Sequence, residues 1–359
     1  MLNKILKTIQ SFLYAVGSFS FLTILKKHNR KSSNCVLVYP DFPRDIIKYF
    51  YSDGFINDLA LINAVAIHDE NFKIKIGKNK TRKWQNNNIY YNMSNRFRKP
   101  QSIDYTQDLY HFVKDLEDSN ICFPNSSEVL WWENKSFMHK EFDKNGIKCP
   151  KSKIMEVTEV TKNETLDFSL PFLVKEVHSA GSLGVHKINS YQELEFIMQE
   201  IINRGENEEV IIQELLEMDR DLRAIVVGEE VVLHYWRINK GKEWKPTSTR
   251  HGSDVDFITF PEEWKTHIIG LNKKLKLTAG AYDLVWVGND YSVEPYVLEV
   301  SPSFQPNPKP PSNLTKSYGK WKSGFNLLRG YPVRFVKVVN SIKYKLVISY
   351  KKQMTQSNN

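Results

Sequence analysis

The sequence predicts a two-domain α/β (α+β) protein with a basic extension at each end, and three observations carry that reading. Short apolar runs closed by turn residues alternate with amphipathic stretches from about residue 35 to residue 300, the pattern of strands and helices packed in layers. At 359 residues the chain exceeds one small domain and suffices for two, each able to bury its own core. Hydrophobic residues are 41% and charged residues 25%, a globular mixture that excludes the disordered and fibrous classes.

Charge falls in three blocks. No Asp or Glu precedes Asp41 and none follows Glu299. The first 40 residues carry six Lys/Arg and residues 300–359 carry eleven, so the middle sets 33 basic residues against all 41 acidic ones, a net −8. A nucleic-acid-binding domain is basic along its groove, and these ends lack Arg-rich or aromatic-interleaved patches, which argues against nucleic acid as partner. Basic ends on an acidic body point instead to an anionic surface. The three cysteines (Cys35, Cys122, Cys149) are far apart and match no metal or redox spacing, which argues for a reducing, cytoplasmic compartment.

Taken in order, residues 1–33 read as a basic amphipathic helix. Its apolar part, Phe12–Leu25, is 14 residues long, short of the ~20 that span a bilayer. Lysines and an arginine follow where a signal peptide would place a small-residue cleavage site. Three readings stay open: a helix lying in a membrane interface, one packed on the protein's own core, or an uncleaved membrane anchor. Residues 34–125 read as a small α/β domain. Cys35–Pro40 is a buried strand, residues 63–69 a second strand, residues 72–80 a hairpin arm, residues 80–105 a loop and Asp108–Asp118 a helix. Residues 126–311 form the second domain. The basic extension 312–359 is a helix or a hairpin over 331–352, with a disordered tail beyond Lys351.

The chemistry-bearing residues lie in the second domain. A helix carrying Asn134-Lys135, with Phe137, Met138 and Phe142 on one face, ends at Asn145-Gly146. Lys175 sits inside an apolar strand, where an ammonium is costly without an anionic partner. The next loop, with Ser179, Gly181, Ser182 and Gly184, is either a plain turn or a loop whose backbone N–H groups approach phosphate oxygens. A strand ending at Glu214 and Leu216 precedes a hairpin on which Asp221 and Arg223 share a face by the two-residue period. Asp283 and Glu299 lie on two further strands, with Ser301 sharing the face of Glu299, and such oxygen ligands suit Mg²⁺.

In this order, lysine, lysine with glycine loop, strand ending in Gln-Glu, Asp-x-Arg, Asp and Glu-Val-x-x-Ser, the sequence resembles the ATP-grasp superfamily, and within it the RimK-type carboxylate–amine ligases. The resemblance covers roughly residues 35–311. It implies a pre-ATP-grasp α/β domain, a central lid subdomain (about 150–212) and a C-terminal antiparallel-sheet subdomain. It implies ATP and Mg²⁺ as cofactors and amide formation through an acylphosphate. It places Lys135 and Lys175 on the ATP phosphates under the loop Ser179–Gly184, Glu214 and Leu216 at the adenine, and Asp221 on the ribose. Asp283, Glu299 and Ser301 would hold the metal, with Ser301 standing where the family has asparagine. Arg223, Arg237 and Arg250 would be the catalytic arginines, with His178 and His251 the candidates for a general base. Lys245 and Thr247 depart from the family's arginine and asparagine, which bears on the acceptor. The implied partners are an amino-acid or other amine donor and a carboxylate acceptor. With the basic ends, the acceptor reads as a sugar acid of a lipid-linked glycan, placing the protein at the inner face of the plasma membrane. The alternatives are a peptide- or protein-modifying ligase and a non-catalytic binding protein of the same fold.

Overall fold

The structure is a computed structural model and describes residues 17–38, 53–77, 84–93, 105–160, 166–179, 181–205, 209–241, 243–248, 251–304 and 333–357. Its first sheet joins β1 (Asn34–Val38), β2 (Lys73–Ile76), β3 (Asn88–Tyr91) and β4 (Ile121–Phe123) in the order β2-β1-β3-β4. All pairs are parallel, so each strand needs a crossover and both faces need cover. Helix Asp53–His68 covers one face and helix Tyr105–Glu117 the other.

Three expectations for this region are corrected. Residues 63–68 are helix, not strand: Ile56, Ala60, Leu61, Ala64 and Val65 recur at helical spacing and are all buried. The short run 63–69 contains too little of that pattern to reveal it. β2 is not a hairpin arm but pairs in parallel with β1. Within the expected loop 80–105 lies β3, an inner strand whose Ile89, Tyr90 and Tyr91 are buried.

The second sheet is antiparallel, with β5 (Ser152–Glu156), β6 (Phe172–Glu176), β7 (Val185–Ile188) and β8 (Glu209–Glu214) in the order β5-β8-β6-β7. Helix Tyr191–Arg204, started by the Ser190 side chain and stopped by Gly205 at φ +61°, lays Leu194, Met198 and Ile201 on Phe172, Val174, Val210 and Ile212. By the two-residue period, Leu173 and Lys175 then face away from that helix.

The third sheet holds β9 (Arg220–Val227), β10 (Glu230–Ile238), β11 (Asp254–Asp256), β12 (Ala279–Val285) and β13 (Tyr296–Ser301), antiparallel in the order β11-β10-β9-β12-β13. Helices Lys135–Lys144 and Lys265–Leu275 close its core through Met138, Phe142, Ile268 and Leu271.

The C-terminal segment is a helix, Val333–Ser357, and not a hairpin; it continues past Lys351, where a disordered tail was expected. Its apolar face is covered by protein rather than lipid: Val336 and Val339 meet Ile56 and Ala60, while Val347 and Tyr350 meet Leu61 and Val65. Lys351 bonds Asp69 at 2.6 Å and Lys345 pairs with Glu230, so its cations are in part internal partners. At the other end, helix Phe21–Lys27 buries Ile24, with Phe19 buried just before it. The core-packing reading of this segment therefore holds for one face. Among the described residues no helix is long and apolar enough to cross a membrane.

Candidate active site

The second and third sheets meet where their polar residues converge. Asn134 caps helix Lys135–Lys144 by accepting from Phe137 N, which fixes Lys135 at the first turn, and Lys135 N bonds Val177 O at the end of β6. The buried Lys135 ammonium donates to Ser179 O at 2.5 Å and to Ser179 Oγ at 3.0 Å, tying the helix to the glycine loop.

That loop has a demanding backbone. Gly181 and Ser182 both lie in the left-handed region, at φ +63° and +61°. A Cβ on Gly184 would stand 2.7 Å from both Glu176 Cβ and Ser179 Oγ, so only glycine fits there without displacement. Glu176, on the face of β6 opposite Lys175, anchors the loop's base by accepting from His186 at 2.9 Å and Arg204 at 2.8 Å. Burial raises its carboxyl, but these two partners outweigh burial and hold it below the usual value.

Lys175 is 9% exposed. Burial pushes its ammonium down to about 8; Glu299 and Asp283 pull it up, and Lys135 pushes it further down. The two lysines and the two carboxylates thus share one electrostatic neighbourhood. β12 and β13 are antiparallel neighbours with Asp283 directly opposite Glu299, and a bulge follows at Asp283/Leu284.

Asp283 is also the hub of an alternating charge chain. Arg223, its partner across β9–β12, grips it with Nε at 2.7 Å and Nη2 at 3.0 Å, and Arg237 reaches its Oδ2 at 2.7 Å. Arg237 in turn holds both oxygens of Asp221, its register partner on β9. Burial would raise the Asp283 carboxyl; the two guanidiniums outweigh it and hold it ionised. Asp221, expected at the ribose, is 1% exposed and each of its oxygens accepts from Arg237, so in this structure its partner is that arginine.

The oxygen set fits Mg²⁺, which is bound through one or two carboxylates with substrate phosphates completing the shell. Asp283 Oδ1 accepts one hydrogen bond and keeps a lone pair, and Glu299 lies opposite. Ser301 Oγ donates its proton to Ser303 O at 2.6 Å, which leaves its lone pairs available. Among the described residues no group of three or more His, Cys, Asp or Glu could hold a metal, so phosphate oxygens would complete the shell of a metal held here.

Glu214 closes β8, and its carboxylate accepts from Lys151 N at 2.6 Å, leaving the backbone of residues 215–218 outside regular structure beside Leu216. His178 follows β6 and His251 lies on the exposed loop after β10, where its carbonyl accepts from Lys245 at 2.9 Å. Arg250 falls outside the described residues. Sequence reasoning missed two contributors. His139, one turn after Lys135 on the same helix face, is buried, bonds Ser152 Oγ at 3.1 Å, and is driven down to about 3 by burial and by Lys175 and Lys135. It is therefore a neutral wall beside the lysines. The i, i+4 spacing was its available signal. Glu176, adjacent to Lys175, was the other.

A family model described as a RimK-like ATP-grasp domain matches residues 133–308. No curated protein sequence matches the chain. Among solved structures, a RimK domain ATP-grasp protein from Sphaerobacter thermophilus is 11% identical, with 87% of this chain and 98% of that chain covered at a TM-score of 0.54. A D-alanine–D-alanine ligase from Bacillus anthracis is 14% identical, covering 89% and 99% at 0.52. D-cycloserine synthetase is 14% identical, covering 86% and 99% at 0.51. At these identities the likeness is one of fold. Residues 133–308 thus match a RimK-like ATP-grasp domain, and the fold of the chain is the ATP-grasp fold.

Proposed function

We propose that this protein binds Mg²⁺-ATP between the second and third sheets and joins a carboxylate acceptor to an amine. The observation that carries the proposal is the pairing of Lys135 and Lys175 with Asp283 and Glu299, two cations and two carboxylates brought together from four separate elements. In this reading the lysines hold phosphate oxygens, and Gly181 to Gly184 lie over them. Residues 214–216 line the adenine. Asp283, Glu299 and Ser301 hold the metal, which when bound neutralises charge on the transferring phosphoryl group.

The acceptor carboxylate oxygen attacks the γ-phosphorus; the P–O bond to ADP breaks and an acylphosphate forms. The amine nitrogen then attacks the acyl carbon, phosphate leaves, and the amine's proton passes to a base. Phosphoryl transfer asks for positioning and charge neutralisation more than covalent help. Arg223 is placed beside the carboxylates, and Arg250 is assigned the transition-state charge on the resemblance alone. His139, neutral and buried, keeps water from the lysines. The acceptor we assign is a sugar acid of a membrane-linked cell-surface glycan, supported by the basic ends of the chain.

The test is ADP release from Mg²⁺-ATP with amino acids crossed against uronic acids and short acidic peptides. Release is expected to need both an amine and a carboxylate, to favour uronic acids, and to fall by ~10²–10³ in Glu299→Gln while ATP binding persists. Preference for peptides would transfer the assignment to a peptide-modifying ligase. Full activity of Glu299→Gln would remove the metal role.

A further inference from the structure

Helix Phe21–Lys27 buries only Ile24 on the body of the protein. Its other side presents Leu22 at 74% exposure and Leu25 at 73%, with Phe21 also exposed. Single exposed apolar residues are ordinary, but three on one helix of seven, beside a dense basic edge, are not explained by folding. That edge is Lys26, Arg30 and Lys31, all exposed. No Asp or Glu occurs between Gly17 and Val38 to neutralise it.

The helix is held in place. Ser20 N bonds Asn63 Oδ1 at 2.8 Å, Lys27 Nζ bonds Ile67 O at 3.4 Å, and Asn340 of the C-terminal helix bonds Ser18 O at 3.0 Å. The C-terminal helix thus serves as a buttress, burying its apolar side inward, while the N-terminal helix keeps its leucines outward.

We infer that the Phe21–Lys31 segment is a docking face for an anionic lipid surface, with Phe21, Leu22 and Leu25 entering the interface and Lys26, Arg30 and Lys31 meeting headgroups. This deepens the proposed function, from which it takes only the membrane-linked acceptor. Charge selects the occupant. A second copy docked by a twofold axis would set these cations against their own images, which is repulsive. An anionic bilayer satisfies the leucines and the cations together, the combination that holds interfacial helices.

The test is co-sedimentation of the full chain, without ATP or acceptor, with vesicles of phosphatidylcholine mixed with phosphatidylglycerol and of phosphatidylcholine alone. Binding is expected to the anionic vesicles only and to weaken with salt. Lys26→Gln/Arg30→Gln/Lys31→Gln should weaken partitioning on the order of 100-fold, at about fivefold per charge. Leu22→Gln/Leu25→Gln should weaken it by roughly tenfold or more. Both variants should keep wild-type ATP-dependent activity on soluble substrates, which separates this inference from the ligase reading. Equal binding by either variant, or no binding by the wild type, overturns the inference. So does a dimer in light scattering that the leucine variant dissolves, or tighter binding to single-stranded DNA than to vesicles.

Discussion

Lys175→Met separates what this lysine does for folding from what it does for ATP. The structure places its ammonium at 9% exposure, with its pKa lowered from 10.5 to about 8 chiefly by burial. A depression of that size corresponds to about 3 kcal/mol by which the charged form is disfavoured in the folded state at pH 7, at 1.36 kcal/mol per unit. Methionine fills the same volume without the charge, so the variant should be more stable than wild type by up to that amount at pH 7. The gain should appear in the thermal midpoint as a few degrees, at roughly 1–2 °C per kcal/mol for 359 residues. The pH dependence gives a second, sharper readout. Between the folded pKa of about 8 and the unfolded value of 10.5 the unfolded chain binds more protons, so wild-type stability rises with pH across that window. The methionine variant lacks this term, and its advantage should therefore shrink from pH 8 to pH 10.5. ATP turnover should fall by ~10²–10³ over the same change. A variant less stable than wild type at pH 7, or an advantage constant from pH 8 to pH 10.5, would refute the claim that an incompletely compensated ammonium is held there for ligand binding.

Two further outcomes follow from the geometry. Gly184→Ala sets a Cβ 2.7 Å from Glu176 Cβ and should displace the loop, raising Kd for ATP several-fold with little change in ATP-independent stability; isothermal titration with nucleotide checks it. Arg237→Ala strands the buried Asp221 carboxylate and should cost about 3–5 kcal/mol in denaturant unfolding, most of it recovered in Arg237→Met/Asp221→Leu, which removes both charges.

The parts of the fold legible in the sequence were those whose pattern is complete within one element. β1 is a closed apolar run, the β9–β10 hairpin turns at Gly228-Glu229, and helix Lys135–Lys144 carries its cap at Asn134 and its stop at Gly146. Helix Asp53–His68 was hidden because its apolar residues include three alanines, and its last six residues, 63–68, are too few to show the helical period. β3 was hidden for the opposite reason. Its strand character comes from lying between β1 and β4, and its neighbours Asn86 and Asn87 belong to turns. Position in the sheet, which sequence does not print locally, overrode composition.

For the candidate site the order of the elements was legible and the pairing of the charges was not. Asp221 and Arg223 are two residues apart and share a strand face, which reads as a local ion pair. The sheet instead gives each a partner from another strand. Register sets Arg223 beside Asp283 and Arg237 beside Asp221, and Arg237 then bridges both carboxylates. Cross-strand neighbours lie closer than same-strand neighbours on one face, so whichever strands pair decide which charges meet. The consequence reaches the chemistry. Asp283 is held ionised by two guanidiniums, and Asp221 is held by one of the same two arginines. Were a cation to bind Asp283 and Glu299 as proposed, it would meet Asp283 already ionised, and the guanidinium N–H groups not spent on aspartate would be the ones free to meet phosphate.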